Sequence, residues 1–187
     1  MSGHEHVAAI VVFNDNNYKV FESTIPIPKG AKSILILVDL SGSMYKVQTL
    51  LRGVLGAVIA GTNAEGFVAE LEPQGGTAMI QAFLDNATLF KDVEVWILTD
   101  GYENRFRGKL PVAGDTFIDL TTADYNSDEY LMGVSNWLTY VCGCKIFYVG
   151  VGSAAKRMTE MMSAQKNVHT GQIAETSSQR EITGMVW

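Results

Sequence analysis

The sequence predicts an α/β fold: a mostly parallel central sheet with helices on both faces, plus an N-terminal β-hairpin. Three observations predict it. Short apolar runs, Ile34-Leu35-Ile36-Leu37-Val38 foremost, alternate with segments of helical periodicity. Such runs suit strands buried on both faces, and their alternation with helices is the pattern of a parallel sheet. Two of the runs end on short polar residues, Asp39 and Thr99-Asp100, as strands do where a turn leads on to the next element. With 187 residues, 47% of them hydrophobic, the chain is large enough for one domain with a full core.

In chain order, Val7 to Phe13 and Tyr18 to Ser23 are strand-like runs around Asn14-Asp15-Asn16-Asn17, the pattern of a hairpin with a polar turn. Pro26, Pro28 and Gly30 then break the chain, which sets residues 1–30 apart as a hairpin extension from a domain over 31–187. Ser33 to Val38 is the first buried strand. Val47, Leu50, Leu51, Val54, Leu55, Val58 and Ile59 recur at helical spacing, and Gly61-Thr62-Asn63 ends that helix. Phe67 to Leu71 reads as a short strand. Gly75-Gly76 leads into a second helix with Met79, Ile80, Phe83, Leu84 and Ala87 on one side.

Val93 to Leu98 is the next buried strand. The polar segment from Tyr102 to about Tyr125 has no clear period and reads as a long loop, and deleting Phe106 to Asp119 should spare the fold and change partner choice. A third helix carries Tyr130, Leu131, Val134, Trp137, Leu138 and Val141. Lys145 to Val151 is a strand, and the helix after it carries Met158, Met161 and Met162, spaced as core filling. Val168 to Ala174 reads as a last strand. Ser178 and Glu181 form a capping box for a short terminal helix with Ile182, Met185 and Val186.

The formal net charge of −6 argues against a nucleic-acid binder, which normally shows a basic face. No run reaches the ~18 apolar residues of a membrane span. Met1 to His6 show neither a basic nor an apolar secretory region. Cys142 and Cys144 flank Gly143, too close for an unstrained bridge, so reduced thiols and a cytoplasmic location are expected.

The chemistry concentrates in Asp39-Leu40-Ser41-Gly42-Ser43, directly after the first buried strand. In an extended turn, side chains two apart face the same way, so Asp39, Ser41 and Ser43 can converge on one point. Thr77 follows Gly75-Gly76, and Asp100 follows the strand ending near Leu98. Asp39 and Asp100 should end neighbouring strands at a switch point of the sheet, where a crevice forms. Oxygen-only donors of this kind suit a hard divalent cation, Mg²⁺ above all, with Mn²⁺ or Ca²⁺ as substitutes. Taken singly, Ser43 and Thr77 also suit plain helix caps.

These residues, in this order, resemble the von Willebrand factor A domain and its metal-ion-dependent adhesion site. The family pattern is Asp-x-Ser-x-Ser, then a distant Thr, then a distant Asp; Tyr148-Val149-Gly150-Val151-Gly152 also looks like the family's later strand. The resemblance runs from about Ser33 to the C-terminus and leaves out the hairpin. The family usually places two strands between its first two major helices. Only Phe67 to Leu71 reads so here, which makes the hairpin the candidate for completing the sheet edge.

The resemblance implies a three-layer Rossmann-like sandwich and a non-enzymatic, intracellular adaptor. Ser41, Ser43 and Thr77 would bind Mg²⁺ directly, with Asp39 and Asp100 close by or linked through water. A protein partner would supply an Asp or Glu side chain, or a C-terminal carboxylate, to complete the shell. Met44, Tyr45, Tyr102, Glu103, Arg105 and Arg107 are the expected rim of the binding surface, where aromatic anchors and a small basic patch would meet the partner.

Two other classes stand beside this one. A structural, self-assembling protein would use the hairpin to donate an edge strand to a neighbour. An aspartate-dependent phosphatase would use Asp39 as nucleophile, but Ser41 stands where its general acid belongs. Gly150-x-Gly152 is a weak dinucleotide signal, because Ala155 occupies the position of the third glycine. The oligomeric state is left open.

Overall fold

The computed structural model describes residues 7–14, 17–22, 34–39, 42, 44, 79–86, 93–100, 103–142 and 145–173. In chain order its strands are β1 (Val7–Asn14), β2 (Asn17–Glu22), β3 (Ile34–Asp39), β4 (Glu94–Thr99), β5 (Lys109–Pro111), β6 (Phe117–Asp119), β7 (Ile146–Val151) and β8 (Val168–Ile173). The helices are α1 (Met79–Asp85), α2 (Asp128–Val141) and α3 (Lys156–Ser163). The helix expected over residues 47–59, the strand over 67–71 and the terminal helix over 182–186 lie outside the described residues.

The architecture is mixed α/β. The main sheet runs β2-β1-β3-β4-β7-β8. All neighbouring pairs are parallel except β1 with β2. The register aligns Leu35 with Val95, Val95 with Ile146 and Ile146 with Val168. Because side chains alternate along a strand, Leu35, Leu37, Val95, Ile97, Ile146 and Tyr148 share one face. They form one apolar cluster with Ile80 and Phe83 of α1, Leu131, Trp137 and Leu138 of α2, and Met158 and Met162 of α3. Ile36, Val38, Trp96, Leu98 and Val149, on the opposite face, are buried too. The central strands β3, β4 and β7 are thus largely buried on both faces, as their unbroken apolar runs require.

One expectation is corrected. Among the described strands, the parallel ones cross the sheet in chain order, β1-β3-β4-β7-β8, so strand order does not reverse between β3 and β4. The reason is that β1 precedes β3 in the chain and occupies its far side. Residues of α1, α2 and α3 share one core cluster with the Leu35–Leu37 face of this sheet.

Local sequence explains the elements near the site. The side chain of Ser127 caps α2 by accepting from the Tyr130 amide at 3.2 Å, and Asp128 and Glu129 place negative charge in the first turn. Gly150 in β7 has no room for a Cβ, which would collide with Thr159 Oγ1 of α3. Gly152, at φ 79°, takes a left-handed turn that favours glycine. Together they let α3 return close over β7 and β8.

The segment read as a long loop has structure of its own. Its β5 and β6 pair antiparallel, and Leu110, Leu120 and Ala123 enter the core. Ile118 and Leu120 lie against α2 at Gly133, where a Cβ would come within 2.8 Å of Leu120. The expectation that this segment can be deleted without harm to the fold is therefore revised, because deletion would uncover α2 and empty part of the core. Three-residue strands carry too few side chains to show a period. No helix among the described residues is long and apolar enough to cross a membrane.

Candidate functional site

Parallel pairing sets Val38 beside Leu98, so Asp39 and Thr99 come level at the ends of β3 and β4, and Asp100 follows one residue on. Asp39 is completely buried, and Thr99 is nearly so. The Thr99 hydroxyl donates to Asp39 Oδ2 at 2.5 Å, which orients the carboxylate across the two strand ends. Asp100 is half-buried. Two of the five expected metal-site residues are thus brought to neighbouring strand ends. Ser41, Ser43 and Thr77 lie outside the described residues, as do Tyr45 and Tyr102 of the expected rim. The described residues contain no cluster of three or more His, Cys, Asp or Glu side chains arranged to hold a metal.

The rim expectation changes at two positions. Met44 is fully buried, consistent with the preference of an apolar side chain for the interior, and so offers no partner surface. Glu103 is 4% exposed. Its Oε1 accepts from the Ile80 amide at 2.6 Å, and its Oε2 accepts from the amides of Arg105 at 2.8 Å and Phe106 at 3.0 Å. These bonds draw the carboxylate inward and compensate its burial. Arg105 and Arg107 are exposed. Arg107 is also committed locally, donating to the Ala123 carbonyl and lying 4.2 Å from the centre of the Tyr125 ring.

Burial pushes the Glu103 carboxyl above its ordinary range, the three backbone amides pull it back, and the charge of Asp39 pushes it up again. The two carboxylates therefore lie within electrostatic reach of one another. Burial, and then the charge of Glu103, also raises the Tyr130 phenol. That phenol donates to the Phe106 carbonyl at 2.7 Å and so fastens the segment after Glu103 to α2.

Sequence reasoning missed Thr99 and the inward role of Glu103. Thr99 had a usable signal: it stands one residue before Asp100 and shares the face of Val95 and Ile97. Nothing local marks Glu103, whose partner Ile80 lies 23 residues away.

No family model matches the chain, and neither curated proteins nor solved structures give a match. The site is read from its own chemistry. Asp39 is a buried, oriented carboxylate, Asp100 follows on the neighbouring strand end, and Glu103 lies in electrostatic reach of Asp39.

Proposed function

We propose that this protein is a non-enzymatic binding module of the von Willebrand factor A type that captures a partner carboxylate through Mg²⁺. The observation that carries the reading is the placement of Asp39 and Asp100 at the ends of adjacent parallel strands, with Asp39 buried and oriented by Thr99. Ser41, Ser43 and Thr77 are the direct ligands in this reading, and Asp39 and Asp100 act directly or through water. Bound there, the ion supplies an electrophilic position that a partner's Asp, Glu or C-terminal carboxylate completes. Arg105 and Arg107 form the basic part of the rim.

The finer architecture proposed is a three-layer Rossmann-like sandwich, supported by the burial of both sheet faces. The N-terminal strands supply the sheet edge beyond β3, which is supported by their pairing. A cytoplasmic adaptor role fits the unbridged, buried Cys142 thiol.

Calorimetric titration of Mg²⁺ and Mn²⁺ into metal-stripped protein tests the reading. One-site binding is expected for the wild type and none for Asp39→Ala. Unchanged affinity in that variant removes the site assignment. A second reading, self-assembly, is favoured by the position of β2 at the edge of the sheet that the described strands form. An oligomer that grows with concentration and ignores Mg²⁺ would support it.

A further inference from the structure

The geometry points to Glu103 as a positioning residue that ties the first turn of α1 to the segment from Glu103 to Phe106, and so steadies the proposed cation site without touching the cation. The inference rests on the cation-site reading above and adds to it the device that holds the site in shape.

Glu103 stands three residues after Asp100, and Ile80 stands three residues after Thr77. One carboxylate therefore joins the loop that carries one expected ligand to the first turn of the helix that follows another. The Ile80 amide lies in the first turn of α1, where backbone N–H groups have no partner within the helix. That first turn contains no acidic residue of its own. Oε2 meanwhile gathers the amides of Arg105 and Phe106, which curls the chain after Glu103 around its own carboxylate. The Phe106 carbonyl is then fixed by Tyr130 of α2. Among the described residues, α1 and the segment from Glu103 to Phe106 are thus tied through a buried side chain, and that segment is anchored to α2.

The bonding of Glu103 favours a brace over a ligand. A carboxylate has about four lone-pair positions. Three are taken by amides, and both oxygens are engaged. Outer groups of this kind set the orientation of metal ligands, and their loss typically weakens metal affinity by about 10- to 100-fold.

The experiment compares metal-stripped wild type, Glu103→Gln and Glu103→Asp. Mn²⁺ is the probe, with affinity read from the free-ion paramagnetic resonance signal. Amide hydrogen exchange at Ile80, Arg105 and Phe106 is followed in the same metal-free samples. Glu103→Gln keeps the size but loses one acceptor oxygen. Glu103→Asp keeps the charge but shortens the reach. Both should bind Mn²⁺ at least about tenfold more weakly, in the range of outer-group losses. Exchange at the three amides should quicken by about tenfold, the scale of one lost hydrogen bond.

Wild-type affinity in a folded Glu103→Gln overturns the brace and leaves the cation site standing. Wild-type affinity in Glu103→Asp alone overturns positioning in favour of a simple charge effect. Failure of the wild type to bind Mn²⁺ overturns the cation site itself, and the brace with it. If the variants do not fold, exchange in the wild type with and without Mg²⁺ decides. Slowing at the three amides supports the brace, and unchanged rates overturn it.

Discussion

The two ends of the parallel strands are built from opposite chemistry. Where β3 and β4 finish, Asp39, Thr99 and Glu103 are polar groups shut away from water. Nearer the starts of β4, β7 and β8, the register aligns Trp96, Phe147 and His169. Their rings stack across the sheet, with centroids 4.2 Å apart for Trp96 and Phe147 and 5.2 Å apart for Phe147 and His169. Lys145 lies 4.9 Å from the Phe147 ring centre, and Trp96 Nε1 donates to Glu94 Oε1 at 3.0 Å. The aromatic row is held mainly by area and ring contact, with Lys145 and Glu94 at its margin. The carboxylate end is held by a few directed hydrogen bonds that work against mutual repulsion. The first end anchors the sheet; the second is where a cation or a proton can change the balance.

The largest effect expected from breaking this contrast is at the aromatic end. Trp96→Ala should cost about 3–5 kcal/mol in urea denaturation, as large core truncations do. It should leave Mn²⁺ affinity unchanged in protein that remains folded. Loss of binding there would mean that the two ends are coupled and the contrast is false.

An intermediate effect is expected at Thr99. Thr99→Val removes the donor to a buried carboxylate and should cost about 1.5–3 kcal/mol, the range for hydrogen bonds to charged groups. It should also weaken Mn²⁺ binding. An unchanged affinity would show that Asp39 is held well enough by its other contacts.

The smallest effect is a pH dependence. The folded protein holds the Glu103 carboxyl above its ordinary value of 4.5, through burial first. Between those two values the folded state binds more protons than the unfolded one, so stability falls as pH rises. The contribution is fully present below 4.5, is lost as pH passes through the raised folded value, and is level above it. Metal-free wild type measured against Glu103→Gln isolates this group, and their stability difference should shrink over that window. A flat difference would show that the amides fully offset the burial.

Much of the sheet was legible because its signal is local. The unbroken apolar runs expected at Ser33 to Val38 and Val93 to Leu98 fall within a residue of β3 and β4. The helical spacing from Tyr130 to Val141 lies within α2, whose first two residues are the charged pair after its Ser127 cap. The rest was not legible because it depends on contacts between distant residues. Thr99 reaches Asp39 across 60 positions, and Glu103 reaches Ile80 across 23. A side chain's neighbours in sequence carry no record of such partners. Met44 was misread for a related reason: adjacency to a site does not decide whether a side chain points outward.

The chain-order arrangement of the parallel strands has a consequence for how the protein is made. During synthesis the N-terminal part emerges first, and β3 finds β1 already available beside its final place. β4 then adds to β3, β7 to β4 and β8 to β7, each on an edge completed by the strand before it. The sheet can grow in the direction of translation, with no strand having to be inserted between two that have already paired.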